Sequence, residues 1–274
     1  MPRLSLEDNF TDLIAKAQRG LKISDADLAA RAEILPADLA AIKAGKVDTP
    51  IIRRVARHLR LDPGALEDLA HDRWYPHSPD FQRGFAQFHT SYEGMGVNNY
   101  LVWDPRSKEA AAFDTGADAG GVIDLAAAEG MKVQYIFLTH THDDHIADLD
   151  RLAAATGAEV WASELEPSTR AGARTFKENA HFHLGRLAIK TLSTWGHSPG
   201  QTTYYVTGLS YPLAVVGDSL FAGSMGGSAE HYADQYRNDV EKILTLPRDT
   251  VIASGHGPLT TVAQEREHNP IFAR

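Results

Sequence analysis

Tyr135-Ile136-Phe137-Leu138-Thr139-His140-Thr141-His142-Asp143-Asp144-His145 is the stretch on which the reading of this chain turns. Its apolar start predicts a buried strand, and the polar remainder sits just past the strand's carboxyl end, where α/β proteins place their sites. His140 and His142 are two residues apart, so in extended backbone they project the same way. Asp144 and His145 fall where the next helix is expected to begin. From there they can point at a second ion a few ångströms from the first.

Three later segments repeat the arrangement. Gly196-His197-Ser198-Pro199-Gly200 lies between two strand patterns, Gly217-Asp218 ends the apolar run Leu213–Val216, and Gly255-His256-Gly257-Pro258 follows Val251–Ala253. Each puts an imidazole or carboxylate at a strand end beside glycine, where the backbone must turn tightly. A lone glycine-flanked histidine is ordinarily just a turn. Four such segments, each at a strand end, point to a metal site.

The surrounding pattern alternates. Strands are predicted at Val97–Trp103, Ala110–Phe113, Gln134–Leu138, Glu159–Trp161, Leu187–Leu192, Thr202–Val206, Leu213–Val216 and Thr250–Ala253. Helices are predicted at Ala119–Glu129 and Ile146–Ala155. This is an α/β domain of layered sheets over 93–274. Residues 71–92 lose periodicity and read as a linker that becomes the first edge of that domain. Residues 1–70 read instead as about five short helices around one small core. Leu28, Ala32, Leu39, Ile42, Val55, Leu59 and Leu66 recur at helical spacing, Ser24 with Asp27 forms a capping-box-like start, and Pro36, Thr49-Pro50 and Asp62-Pro63 open helices.

Composition narrows the chemistry. There is no cysteine, which excludes disulfides, thiolate zinc sites and cysteine nucleophiles and leaves His, Asp and Glu as the metal ligands. The net charge is −9, and residues 1–70 contribute none of it, with 11 Lys+Arg against 11 Asp+Glu. An acidic body does not attract nucleic acid without a local basic patch. No signal peptide and no membrane span are evident, so a cytoplasmic location is expected.

The motifs resemble the metallo-β-lactamase superfamily, in particular its glyoxalase II-like branch. The HxHxDH motif stands at His140 to His145, the GHTPG-type motif at Gly196 to Gly200, the GD motif at Gly217-Asp218, and the closing segment at Gly255 to Thr261 and His268-Asn269-Pro270. Asn99 to Val102 and Asp114 to Gly116 resemble the opening strand pair. The resemblance covers roughly residues 94–274 and implies an αββα sandwich there, preceded by the small all-α domain read from residues 1–70. It implies that one ion takes His140, His142 and His197, that another takes Asp144, His145 and His256, and that Asp218 bridges them. Asp114 is either an acceptor that fixes a ligand imidazole or a turn aspartate. Asp143 is not a family ligand, and His181 and His183 read as loop residues. The cofactor implied is two divalent ions, zinc foremost, with iron or manganese also suited to nitrogen and oxygen ligands. They would draw hydroxide from a bridging water to cleave a thioester or ester, with Asp144 or Asp218 orienting the water and handing on a proton.

Several residues also fit other chemistries. Gly196 to Gly200 also matches the serine-hydrolase elbow G-x-S-x-G, but that elbow needs the N–H after serine, and Pro199 has none. Gly227 stands where the glyoxalase II relatives carry a glutathione-binding arginine, and the chain stops soon after the closing motif. A smaller thioester, an ester, a lactone or a β-lactam therefore enters as substrate, and a mononuclear iron persulfide dioxygenase is a further alternative. Residues 1–70 resemble a phage-repressor-like helix-turn-helix, which would make the chain a DNA-binding regulator with a metal-domain sensor. Its recognition helix, however, offers Ala37, Asp38, Ala40 and Ala41 where base readers need Arg, Asn or Gln. Homodimer assembly or cover over the site is the reading favoured for this region.

Overall fold

The computed structural model describes residues 3–77, 83–167 and 172–273. Five helices come first: α1 (Phe10–Gly20), α2 (Asp25–Ala32), α3 (Pro36–Lys43), α4 (Thr49–His58) and α5 (Pro63–Ala70). Their starts are chemically marked. Asn9 and Asp12 form a reciprocal capping box on α1, and Ser24, Asp48 and Asp62 cap α2, α4 and α5 through their side-chain oxygens. Leu28, Leu39, Ile42, Val55, Leu59 and Leu66 are all buried.

Two six-stranded sheets follow. The first runs β1 (Phe85–Tyr92), β2 (Met95–Trp103), β3 (Glu109–Phe113), β4 (Lys132–Phe137), β5 (Glu159–Ser163), β6 (Arg174–Phe176) in space as in sequence. Its first three strands are antiparallel and its last four parallel. The parallel crossovers are α6 (Gly120–Ala128) and the pair α7 (Asp143–Ile146) and α8 (Leu149–Thr156).

The second sheet contains β7 (His181–Leu184), β8 (Leu187–Ser193), β9 (Thr202–Thr207), β10 (Leu213–Gly217), β13 (Val251–Ser254) and β14 (Thr260–Thr261), in the order β14-β13-β10-β9-β8-β7. Strands β11 (Leu220–Phe221) and β12 (Ser224–Met225) form a small hairpin directly after β10. Helix α9 (Tyr232–Asn238) runs on into a π-helical turn, Asp239–Ile243, and α10 (Val262–His268) closes the chain.

Alternation along the strands sorts the side chains into three cores. Between the sheets, the rings of Phe113, Phe137 and Tyr204 meet at 5.0–5.5 Å. On the outer face of the first sheet, Leu101, Ala112 and Ile136 pack against Val122 and Leu152 from α6 and α8. On the outer face of the second, Ala214, Val216 and Ile252 share one apolar cluster with Val262 and Ile271 and with Leu13, Ile14, Ile52 and Leu66 of the N-terminal helices. The result is an αββα sandwich with its second helical layer thickened by α1–α5.

Two local expectations change. His181 and His183 lie on strand β7, with exposed side chains, rather than in a loop. The helix expected over Ile146–Ala155 breaks at Ala147-Asp148, because the Asp148 amide donates to Thr115 Oγ1 at 3.2 Å and its carboxylate accepts from the Ala119 amide at 2.8 Å. Within 71–92, residues 78–82 lie outside the described residues, and β1 forms the outer edge of the first sheet.

Candidate metal centre

Five segments deliver the candidate ligands to one end of the sandwich. The loop after β4 carries His140 and His142, and α7 carries Asp144 and His145. The loop after β8 carries His197, the end of β10 carries Asp218, and the end of β13 carries His256. Two glycines make the convergence possible. Gly217 turns at φ +52°, and a Cβ there would collide with the Thr139 side chain. A Cβ on Gly255 would run into Asp218 Oδ1 and the His145 ring.

The structure brings all seven residues together. His142 Nδ1 lies 3.1 Å from His140 Nε2 and 3.0 Å from His197 Nε2. His256 Nε2 lies 3.4 Å from Asp144 Oδ2 and 3.3 Å from Asp218 Oδ2, and His145 Nε2 lies 3.6 Å from Asp144 Oδ2. Asp218 reaches both sets: Oδ1 is 3.3 Å from His145 Nε2 and Oδ2 is 3.5 Å from His197 Nε2. The triads His140/His142/His197, Asp144/His145/His256 and His140/His145/Asp218 each gather their ligand atoms within 4.8 Å.

Most of these rings are held from behind. His145 Nδ1 donates to Asp114 Oδ2 at 2.9 Å, and the same carboxylate accepts from the Thr139 amide and hydroxyl, each at 2.7 Å. Asp114 is therefore an orienting acceptor, and it also occupies a turn, at φ 55°. His197 Nδ1 donates to the Gly227 carbonyl at 2.9 Å, and His256 Nδ1 to the Gly96 carbonyl at 2.6 Å. These bonds turn the Nε2 atoms toward the centre. Asp143 is exposed. Ser198 Oγ donates to Glu166 at 2.6 Å, so the residue of the G-x-S-x-G look-alike is engaged with a carboxylate rather than an imidazole base.

Charge is divided across the centre. Burial, with the adjacent His145 ring, holds His140 well below the ordinary imidazole range, and burial likewise lowers His197. In the other half, burial is the largest single influence and opposes charge on His145 and His256, but Asp218 acting with Asp114 on His145, and with Asp144 and the Gly96 carbonyl on His256, outweighs it and lifts them to about 10 and about 11. These carboxylates thus draw positive charge into this half, and a bound cation would supply it by displacing those protons. His145 Nε2 and Asp218 Oδ1 are buried and face one another without a hydrogen bond. Buried polar atoms left this way ordinarily have a partner, and an ion fits that role. The all-nitrogen and oxygen donor set suits divalent cations.

Sequence reading missed several supporting groups. Asn98 Nδ2 donates to the Ser254 and Gly257 carbonyls at 3.0 and 2.8 Å and so holds the His256 loop against β2. The backbone carbonyls of Gly96 and Gly227 carry no residue signature at all. Glu7, from the N-terminal segment, comes within 4.0 Å of His256 Nδ1.

The profile of the Metallo-beta-lactamase superfamily matches residues 92–256, more than half of the chain, and the chain belongs to that superfamily. Among individual relatives, it is 32% identical over 185 residues to the probable metallo-hydrolase YqgX of Bacillus subtilis, covering 58% of this chain and 85% of that one. It is 31% identical over 159 residues to the hydroxyacylglutathione hydrolase of Pseudomonas entomophila, covering 57% of this chain but only 60% of the hydrolase. The crystal structure of the BLEG-1 B3 metallo-beta-lactamase superposes with a TM-score of 0.60 at 29% identity, over 69% of this chain and 100% of that one. The fold is the metallo-β-lactamase αββα sandwich preceded by a helical region.

Proposed function

We propose that the chain is a dinuclear metallohydrolase that cleaves a small thioester or ester. One observation carries the reading: a single buried carboxylate, Asp218, lies within 3.5 Å of histidines from both halves of the ligand cluster. Seven ligands are too many for one tetrahedral site and suit two ions. Two such ions would acidify a water and polarise a carbonyl. His140, His142 and His197 would hold one, and Asp144, His145 and His256 the other. Asp144 is the least buried carboxylate of the set and sits 3.4 Å from His256, placed to accept a proton from water and pass it to the leaving group. Asp114, Gly96 and Gly227 keep the rings from rotating. The exposed His142 marks the open side, from which substrate enters.

The likeness to hydroxyacylglutathione hydrolases supports thioester cleavage, but Gly227 argues against glutathione. It offers no cationic side chain, and its carbonyl is committed to His197. A charged, bidentate contact contributes a few kcal/mol, so its loss costs one or more powers of ten in affinity. Steady-state hydrolysis by the metal-loaded protein tests this: simple thioesters should be turned over at least as well as S-lactoylglutathione. A high specificity constant for the glutathione thioester alone would refute it. The likeness to BLEG-1 favours β-lactams as the second substrate class, and they belong in the same panel together with lactones.

A further inference from the structure

Glu166 follows β5 and is buried, yet it belongs to none of the ligand triads. Its two oxygens face opposite ways. Oε2 accepts from the amide and hydroxyl of Thr141 at 3.0 and 2.7 Å. Oε1 accepts from the Ser198 hydroxyl at 2.6 Å and the Gly200 amide at 2.7 Å. Thr141 stands between His140 and His142, and Ser198 directly follows His197. One carboxylate therefore ties the two loops that carry the three-histidine half. Gly200 is glycine for the same reason, since a Cβ there would sit 2.8 Å from Glu166 Cγ.

His142 makes this tie consequential. The other four imidazoles are each bonded from behind, to Thr139, Asp114, Gly227 or the Gly96 carbonyl. Among the described residues, the His142 ring has hydrogen bonds only to His140 and His197, so it takes its placement from the backbone at Thr141. A buried carboxylate with four donors is a stiff joint, because charge-assisted bonds are short and strong and an unmet donor there is costly.

We propose that Glu166 is the positioning residue of the three-histidine half, clamping the His140–His142 loop to the His197 loop and so setting the affinity for one of two ions. The proposal rests on the dinuclear reading given above. Glu166→Gln keeps the volume but turns an amide N–H₂ toward one pair of donors. The hydroxyl of that pair can reverse, but the backbone N–H cannot, and one arm opens. Ser198→Ala removes a single hydroxyl and leaves the carboxylate three donors, so it keeps the fold if Glu166→Gln does not.

The test is titration of the metal-free, full-length protein with zinc against a chromophoric chelator, fitting two dissociation constants. Wild type should give two. Glu166→Gln should weaken one of them by about 10–100-fold, the usual cost of losing support behind a ligand, and leave the other within about threefold. Ser198→Ala should weaken the same one by less. A merely structural role would lower the melting temperature of the metal-free protein without changing the ratio of the constants. That result, or equal weakening of both sites, overturns the proposal. Failure of the wild type to bind zinc would instead overturn the dinuclear reading beneath it.

Discussion

Asp114 occupies left-handed backbone, φ 55°, a conformation that a non-glycine residue holds only when its surroundings impose it. Here the imposition comes from its own carboxylate, which binds His145 and Thr139 together, while Thr115 N donates to the His145 carbonyl at 2.8 Å. In Asp114→Asn, the amide N–H₂ must face either the Thr139 donors or His145. The expected result is a loss of about 10–100-fold in metal affinity or turnover, with an unchanged far-ultraviolet spectrum. Equal affinity and rate in the variant would reduce Asp114 to a turn residue. This residue was half legible in the sequence: its place before Gly116 indicated the turn, but its partner lies 31 positions away.

At the scale of elements, the strand-end motifs were readable because glycine and metal-ligand chemistry leave marks at fixed spacing. Supports that act across sequence were not. Glu166 lies 25 residues from Thr141 and 34 from Gly200, so only the fold discloses it. His181 and His183 show the converse, a ligand-like pair that β7 carries on exposed positions outside every ligand triad. Helix α10 carries another hidden joint. Glu265 accepts from Thr260, Gly223 and Asn269, and burial pushes its carboxyl up to about 7. A carboxyl whose folded value lies above its unfolded one binds its proton more tightly when folded. Its contribution is therefore largest at and below about pH 4.5 and is lost as pH rises to about 7. A rise from 4.5 to about 7 corresponds to about 3 kcal/mol. Glu265→Gln carries a constant penalty for its changed hydrogen bonds but no titration. Denaturant unfolding at pH 5 and pH 8 should show the variant gaining on wild type by about that amount. A difference independent of pH would contradict it.

For the molecule as a whole, helices α1–α5 share the apolar cluster on the outer face of the second sheet. They are also pinned near the site, where Lys16 and Ser224 both donate to Asp8 and Lys16 reaches the Met225 carbonyl at 3.0 Å. Deleting residues 1–70 would uncover Ala214, Val216 and Ile252, and the truncated chain should aggregate or lose cooperative melting by light scattering and calorimetry. An unchanged melting temperature, size and kinetics would mark this region as a separable module. Selection against random duplex DNA at physiological salt would then be the decisive assay for operator recognition. Elemental analysis of protein purified without added metal should give about two divalent ions per chain, with activity lost on chelation and restored by metal. One iron per chain would favour the mononuclear dioxygenase. A stoichiometry below one, with activity intact after chelation, would contradict the account.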